Sequence, residues 1–273
     1  MSDFASMIGG GAPVPISEAD PDEAFAYTYS SGGDVFQDLG AEGDQWDGSA
    51  SSGEQSVFGG TGDDSVFSGS NDDVTSGQDG NDVLGGGDGD DVSSGGEGDD
   101  TVVGDAGDDL VSGDAGDDVV GGGEGNDFVA GGDGNDALYG GEGNDSLFGG
   151  AGNDSLFGET GDDSLFGQSG DDYLVGGAGN DSMWGGDGND VFFFDSNFGN
   201  DVINDLSGGD EIWLKADLNG SGITSAQDLI DQDLVSGDAT HTVIQIGDSS
   251  IRIEGMDVDA FKAEISTWVK IQP

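Results

Sequence analysis

The sequence of 273 residues has no cysteine, one histidine and only four basic residues, against 59 acidic ones. No disulfide can therefore stabilise the fold, no zinc site rich in histidine or cysteine can form, and no cysteine nucleophile exists. The net charge of −55 excludes nucleic acids and anionic membranes as partners, because like charges repel. The same repulsion opposes compaction of the chain until cations bind.

Signals for membrane insertion and for several kinds of catalysis are also missing. No stretch approaches the roughly 18 consecutive apolar residues of a membrane span, and residues 1–15 lack the basic and apolar segments of a cleavable signal peptide. No glycine-rich loop is followed by lysine, so a phosphate-binding loop of that type is absent. About 58 residues precede the repeats described below, which is short for a catalytic domain. We therefore predict that the protein is not an enzyme, and that His241 is an ordinary residue at a strand start.

What the sequence does contain is a nine-residue phrase that repeats fifteen times over residues 59–193 without insertion or deletion. Its template is Gly-Gly-x-Gly-x-Asp-x-U-x, where U is apolar. Position 6 is aspartate in every copy, and the exceptions to glycine at positions 1 and 4 are Ser68 and Asn71. Position 8 is apolar except at Thr75 and Ser93. Because fixed periods of this length indicate a repeat architecture, the phrase decides the fold.

The phrase has a direct physical interpretation. Glycine at the first positions permits a turn with positive φ, and positions 7–9 read as a strand of three residues. Such a strand is unstable alone, but stacked parallel copies align their apolar side chains into a thin continuous core. Stacking also brings the acidic turns together, so cations are needed between them. Carboxylate and carbonyl oxygens favour Ca²⁺.

The phrase resembles the nonapeptide of the repeats-in-toxin (RTX) family. The resemblance implies an all-β fold, a parallel β-roll (a right-handed β-solenoid) in which two nonapeptides form one coil and Ca²⁺ lies between same-side loops of successive coils. Fifteen copies then offer up to about 13 interloop sites. The implied metal ligands, with one further loop added at the C-terminal end, are Asp64, Asp73, Asp82, Asp91, Asp100, Asp109, Asp118, Asp127, Asp136, Asp145, Asp154, Asp163, Asp172, Asp181, Asp190 and Asp201. The alternative is a disordered Gly/Asp-rich tract, which we expect for the calcium-free chain.

The repeats divide the chain into five segments. We predict an N-terminal arm (1–31), degenerate repeats that form a cap (32–58), the fifteen-repeat roll (59–193), last partial repeats (194–214) and a small α+β C-terminal cap with a secretion signal (215–273). The alternation in Phe25–Tyr29 indicates a strand that either caps the roll or packs on a neighbouring molecule. Gln55 replaces the aspartate of its loop, and Trp46 is expected to cover the open end of the roll.

The C-terminal segment has ordinary secondary-structure signals. Thr224 is a candidate cap for a helix to about Leu234, and Gly247-Asp248 separates two short strands of a predicted hairpin. Residues 258–268 have the spacing of one amphipathic helix. In the RTX family the uncleaved C-terminus carries the signal for a type I exporter, which would fit the missing N-terminal signal.

Position 9 of the repeats should point outward, with mostly small residues in the early copies and large ones in the late copies. The late residues are Tyr139, Phe148, Phe157, Phe166, Val175, Trp184 and Phe193. Exposed aromatic rows of this kind need an explanation. Either the C-terminal segment folds back over them, or they form a surface for self-association or a partner, or they stack on sugars.

Three functions remain open at this stage. The first is a secreted calcium-binding structural protein, from a Gram-negative bacterium by the resemblance, that folds on Ca²⁺ outside the cell and assembles into a homo-oligomer, fibre, surface layer or matrix. The second is a calcium-dependent adhesin that holds glycans. The third is an accessory protein whose enzyme partner is another chain.

Overall fold

The computed structural model describes residues 27–31, 34–40 and 43–273, and the first strands of the roll precede the regular repeats. They are β1 (Tyr27–Ser31), β2 (Asp34–Gly40), β3 (Gln45–Asp47), β4 (Gln55–Thr61) and β5 (Ser65–Phe67). Strand β1 pairs antiparallel with β2, whereas β2 and β3 pair parallel with β4 and β5. Strands β2, β3 and β4, which precede most of the regular repeats, therefore already belong to the two sheets. Of the predicted aromatic strand, Phe25 lies outside the described residues.

Fourteen further strands follow, one for each repeat boundary. They are β6 (Val74–Asp79), β7 (Val83–Asp88), β8 (Val92–Glu97), β9 (Thr101–Ala106), β10 (Leu110–Ala115), β11 (Val119–Glu124), β12 (Phe128–Asp133), β13 (Ala137–Glu142), β14 (Ser146–Ala151), β15 (Ser155–Thr160), β16 (Ser164–Ser169), β17 (Tyr173–Ala178), β18 (Ser182–Asp187) and β19 (Val191–Phe194). Most have six residues, twice the predicted length. Pairing skips the glycine at position 1 and resumes at position 2, so each strand continues into the next repeat.

Successive repeats alternate between two parallel sheets. The even-numbered strands lie in a sheet of 14 strands and the odd-numbered ones in a sheet of 11. Neighbours within a sheet are two repeats apart, as where Leu138 lies beside Leu156. This arrangement confirms the predicted parallel β-roll, because stacked copies pair their backbones with the coil on either side.

The core is the column of position-8 side chains between the sheets. Residues from Val102 to Phe192 at this position are fully buried, each contributing about 1.5–3 kcal/mol if it is a large apolar side chain. The two polar exceptions, Thr75 and Ser93, are stacked neighbours in one sheet, as predicted. The Thr75 hydroxyl donates a hydrogen bond of 2.8 Å to the Ser93 Oγ, so neither buried hydroxyl of this pair lacks a partner.

Positions 7 and 9 both point away from the core, and the sequence interpretation considered only position 9. None of the residues at these two positions in 59–193 is charged, so the acidic side chains of the roll lie in its turns and at the strand positions next to them, as at Asp105 and Asp114. In the 14-stranded sheet the large outward residues first occupy position 7, at Val74, Val92, Leu110 and Phe128, which are 40–46% exposed. They then shift to position 9, at Phe148, Phe166 and Trp184. We call these seven residues the apolar stripe.

Aromatic rings in the apolar stripe stack on one another. Ring centroids are 4.7 Å apart between Phe128 and Phe148, 4.7 Å between Phe148 and Phe166, and 4.5 Å between Phe166 and Trp184. The interplanar angles of the last two pairs are 6° and 12°. The step from position 7 to position 9 therefore occurs between Phe128 and Phe148 without breaking the stack.

The C-terminal segment extends both sheets and adds short helices. Its elements are β20 (Asn200–Ile203), β21 (Glu211–Lys215), a 3₁₀ turn (Leu218–Gly220), α1 (Ala226–Asp231), β22 (Val235–Gly237), β23 (His241–Ile246), β24 (Ser249–Glu254), α2 (Val258–Ala263), α3 (Ile265–Trp268) and β25 (Val269–Gln272). Strands β24 and β25 pair parallel with β20 and β21, and the helices pack on one another and on strands of this segment. The segment thus caps the end of the roll and does not fold back over the aromatic rows, which leaves the other two explanations of those rows open.

Two helix predictions need correction, whereas the hairpin was predicted correctly. Ser225, not Thr224, is the N-cap of α1, because the Thr224 hydroxyl instead donates to Asp228. The single helix predicted over 258–268 is broken at Glu264, whose φ of −124° and ψ of 23° are not helical and separate α2 from α3. His241 is the first residue of β23, as expected. Among the described residues, no helix has the length and apolarity that a membrane span requires.

Candidate metal centre

The turns of the roll are tight because glycine lets the chain pass close to the coil below it. Gly125 at position 4 has a φ of 142°, and a Cβ on it would lie 1.8 Å from the carbonyl oxygen of Gly107, one coil earlier. Only glycine avoids that clash. Asn71, the exception at position 4, has a φ of 84° and donates its Nδ2 to the Ser52 carbonyl oxygen at 2.7 Å. Asparagine tolerates this left-handed region better than most residues.

Position-6 carboxylates form two stacked columns, one on each edge of the roll. Asp127 accepts a 2.8 Å hydrogen bond at Oδ1 from the backbone N–H of Asp109, and Asp145 accepts one of the same length from Asp127. The same bond links aspartates two repeats apart along both columns. All sixteen predicted ligands lie in the columns and are at most 3% exposed. The backbone register therefore brings the carboxylates together before any metal is considered.

The second carboxylate oxygen of these aspartates has no hydrogen-bond partner. Among the described residues, Oδ2 is buried and unpartnered in fifteen of the sixteen predicted ligands, all except Asp73. A buried, unpaired oxygen of this kind is costly, and natural proteins rarely keep one. Because this unpaired oxygen recurs in fifteen loops, it indicates that a cation pairs with it.

Glycine at position 1 leaves space next to that oxygen. A Cβ on Gly122 would lie 2.3 Å from Asp127 Oδ2, and a Cβ on Gly131 would lie 2.3 Å from Asp136 Oδ2 and 2.6 Å from the Gly149 carbonyl oxygen. Each space is thus bordered by one carboxylate oxygen and by a backbone carbonyl oxygen of the next coil. No three acidic or histidine side chains converge anywhere in the described part of the chain, so carbonyl groups must complete any cation site.

Burial raises the pKa of the column carboxyl groups, and neighbouring carboxylates in the same column raise it further. The pKa is about 7 for Asp91 and Asp145 and about 6 for Asp109. Asp201, at the C-terminal end of its column, has the largest rise, to about 8. The charged form therefore needs compensation at neutral pH.

The residues present fit calcium. The donor groups are all oxygens, from carboxylates and carbonyls, and such hard donors suit Ca²⁺ rather than zinc or copper. The position-6 aspartates and the loop carbonyls would hold the ion. When bound, it would supply the positive charge that the unpartnered oxygens lack.

Asp73 differs from the other predicted ligands. Its Oδ2 accepts hydrogen bonds from the Gln55 side-chain amide and from the Gly69 backbone N–H, both at 3.2 Å. The Gln55 Oε1 accepts in turn from the Trp46 indole N–H at 3.1 Å. Gln55 was predicted only as a lost carboxylate, yet its amide occupies the place of a cation partner. Trp46 lies in the edge strand β3 and packs against the core, in agreement with its predicted end position.

At the C-terminal end, the structure adds a residue that the sequence interpretation missed. Asp201 continues one column by accepting the Asp181 N–H at 3.0 Å, as predicted. Asp210 continues the other column, but its second oxygen accepts the Ser207 N–H at 2.6 Å. The partial repeat around Gly209 was the available signal, because it places an aspartate next in the register.

Position 5 forms a second ladder that was also missed. It is aspartate or asparagine in all fifteen copies. The side-chain oxygen accepts the backbone N–H of position 5 one coil later, as in Asp117 with Asn135 and Asn135 with Asn153, at 2.8 and 3.0 Å. These bonds lie on the exposed edge of the roll and contain no metal, so they fix the stacking of turns independently of the cations.

Comparison with known proteins supports a calcium site. The family model for the RTX calcium-binding nonapeptide repeat matches residues 49–84, 85–120, 121–156, 157–192 and 166–203. No curated protein sequence matches the chain.

Two solved structures match parts of the chain. The extracellular lipase LipA from Serratia marcescens is 17% identical with a TM-score of 0.35, and the match covers 76% of this chain and 38% of the lipase. The AlgE6R3 subunit of the Azotobacter vinelandii mannuronan C5-epimerase is 32% identical with a TM-score of 0.32, over 41% of this chain and 71% of that subunit. The chain thus spans well under half of the lipase.

Two adjacent glycines provide a matched test of the space beside Oδ2. Gly122→Ala would place a methyl group against Asp127 Oδ2, whereas a Cβ on Gly121 meets nothing closer than Val103 at 3.8 Å. Neither glycine has a positive φ, so backbone strain is not involved. We expect Gly122→Ala to raise the calcium concentration at the folding midpoint severalfold and Gly121→Ala to leave it unchanged, measured by circular dichroism. Equal midpoints would show that the space does not hold the ion.

The pKa values predict how pH acts on the metal-free chain. The pKa of an unfolded aspartate is near 3.8, whereas burial raises the pKa of the column aspartates, to about 6 at Asp109 and about 8 at Asp201, so the folded state binds protons more tightly. Stability without metal must therefore rise as the pH falls from about 8 towards about 4. In chelator, far-UV circular dichroism should show β-structure increasing from about pH 8 to about pH 5. In calcium, the folding midpoint should move to lower calcium as the pH falls over the same range, because bound protons already remove part of the buried charge that calcium would otherwise have to neutralise. A pH-independent midpoint contradicts this account.

Proposed function

We propose that this chain, which belongs to the family of RTX calcium-binding nonapeptide repeats, is a secreted structural protein that folds on Ca²⁺ and then associates with further copies of itself. The observation that carries the calcium-dependent folding is the set of fifteen buried, unpartnered carboxylate oxygens. Calcium binding by the repeats follows from the family. Secretion, assembly and a non-enzymatic role are our proposal.

Energetics support folding that depends on the metal. A pKa raised from 3.8 to about 7, as at Asp91, destabilises the charged folded form by about 4 kcal/mol. A typical domain has a net stability of only about 5–15 kcal/mol. A few such groups are therefore enough to keep the metal-free chain unfolded at neutral pH. Because the site exists only in the stacked roll, binding and folding share one free energy.

This behaviour suits a protein that is exported unfolded. In a compartment with little free calcium, the net charge of −55 would hold the chain open. Outside the cell, calcium at the levels that load extracellular modules, about 10⁻⁴–10⁻³ M, would drive folding. We propose a type I exporter for this step, on the basis of the family.

The apolar stripe supports association. Most acidic groups lie in or next to the turns, whereas the stripe runs along one face with several members more than 40% exposed. A second copy offers the same stripe, so apolar surface can be buried between two rolls with little burial of charge. Bound calcium would reduce the repulsion between the acidic edges.

The aromatic rows fit sugars less well than they fit a second copy. Sugars stack on ring faces, but in the apolar stripe the faces of Phe148 and Phe166 are covered by neighbouring rings at 4.5–4.7 Å. Only ring edges point outward along the row. The adhesin and the accessory protein remain the alternative functions, and binding of a glycan array that is lost in Tyr139→Ala and Trp184→Ala would favour the adhesin.

A calcium titration of one isosteric variant tests the metal assignment. Asp127→Asn keeps an oxygen that can accept the Asp109 N–H but removes the charge beside the proposed ion. Asp133→Asn removes a charge from an exposed side chain three residues before Asp136. We expect Asp127→Asn to raise the folding midpoint by about tenfold and the control to leave it close to wild type. Identical calcium titration curves for the two variants would show that Asp127 is not a calcium ligand.

Sedimentation tests association separately from folding. In calcium at high protein concentration, wild type should form oligomers, and chelator should return it to an extended monomer. Phe166→Ser and Trp184→Ser should fold at the same calcium concentration but remain monomeric, because they remove apolar surface without touching the turns. Ser164→Ala, on the same face, is the control. If wild type stays monomeric in calcium at every protein concentration, the proposed assembly is wrong, whereas the proposal of calcium-dependent folding is unaffected.

A further inference from the structure

A groove on the outer face of the 11-stranded sheet lies at the point where the repeat template fails. It has a volume of about 580 Å³ and extends from the serine-rich segment 49–52 across the glycines of β7 to Asp105. Copy 68–76, which departs from the template at positions 1, 4 and 8, borders it. Neither the metal columns nor the apolar stripe includes this region.

The groove lies where one side chain is missing from the column of outward-pointing position-9 residues in the 11-stranded sheet. Phe67 of β5, Gly85 of β7 and Val103 of β9 are successive neighbours in the ladder. Since adjacent strands are about 4.8 Å apart, Phe67 and Val103 are separated by about 9.6 Å with only Gly85 between them. Phe67 is 44% exposed, and a Cβ on Gly85 would lie 3.1 Å from its ring. Further along the sheet the equivalent gap is filled, as where Phe157 stacks on Tyr139 at 5.1 Å.

Hydrogen-bonding groups converge on this gap. Asp105 Oδ2 lies 3.4 Å from the position of a Cβ on Gly85, so the carboxylate extends over the missing side chain. Asp105 has a φ of 78°, where most copies have glycine, a conformation that costs about 1–2 kcal/mol. Asp88, the last residue of β7, also lines the groove. Ser49, Ser51 and Ser52 lie at its rim.

The other glycine gap in the same column lacks these groups. Gly121 separates Val103 from Tyr139, but nothing polar lies within 4 Å of a Cβ at that position. The residue that corresponds to Asp105 there is Gly123. Only the Gly85 gap therefore combines an aromatic wall with carboxylates and hydroxyls.

We propose that the Gly85 gap binds one ring of a neutral sugar. The apolar C–H face of the ring would pack on Phe67, in the place of the absent side chain, and its hydroxyls would donate to Asp105 and Asp88. Aromatic surface next to hydrogen-bond acceptors suits an amphipathic ring, as in other small-molecule pockets. Acidic sugars are excluded, because the two carboxylates and the net charge of −55 repel them.

Saturation-transfer NMR on the full chain in calcium tests this site, with glucose, galactose, mannose and N-acetylglucosamine as probes. At least one of them should show transfer to ring protons, and unlabelled sugar in excess should compete. Phe67→Ala, Asp105→Asn and Gly85→Val should each abolish the signal. Gly85→Val is the sharpest variant, because it fills the gap with a residue that strands favour while the chain keeps both Phe67 and Asp105.

Matched controls separate binding from folding. Gly121→Val fills the other gap, and Asp114→Asn changes the corresponding left-handed aspartate on the opposite sheet, where Ser112 donates to it. Both should retain the signal, and circular dichroism in calcium should show every variant folded. Absence of transfer for all four sugars overturns the proposal, as does a signal that survives Gly85→Val. Because folding and association are read separately, these results do not bear on the proposed function.

Discussion

A carboxylate oxygen buried without a donor is the feature on which the rest of this roll depends. Each position-6 aspartate except Asp73 uses one oxygen to bind the backbone of the previous coil and leaves the other facing a space that glycine keeps open. The first contact fixes the stacking, and the second makes that stacking unfavourable until a cation arrives. Both effects come from one side chain, so the order of the roll and its need for metal cannot be separated.

At one end of each column, the second oxygen of the terminal aspartate is paired with a protein group instead of a cation. At Asp73 an amide from Gln55 replaces the cation partner, and at Asp210 a backbone N–H from Ser207 does so. Neutral donors can satisfy a single terminal oxygen, because no further carboxylate follows it. Within the columns such donors are excluded, since the turns are too close for an added side chain. The metal sites are therefore bounded by protein groups at one end of each column.

The period of nine predicted the alternation of the sheets, the buried column and the stacked aspartates, because each follows from a residue type at a fixed spacing. What it could not predict depends on contacts between residues distant in sequence. From the sequence alone, Gln55 is interpreted as a lost metal ligand. Only the structure shows that its side-chain amide donates to Asp73 Oδ2. The helical spacing of residues 258–268 does not show that the helix breaks at Glu264, before β25 pairs with β21. Position 7 was overlooked because early valines and late serines conceal a shared outward direction.

The step in the apolar stripe between Phe128 and Phe148 gives the roll an axial landmark. A uniform repeat would present the same surface after every shift of one coil, so two rolls lying side by side could slide along each other. The change from position 7 to position 9 displaces the bulky side chains sideways at one coil and removes that freedom. If a neighbouring roll shifted by one coil, the displaced side chains of the two rolls would no longer lie at the same level. The displacement also distinguishes the two directions along the axis. An assembly of such rolls would thus have a defined offset and polarity despite being built from near-identical units.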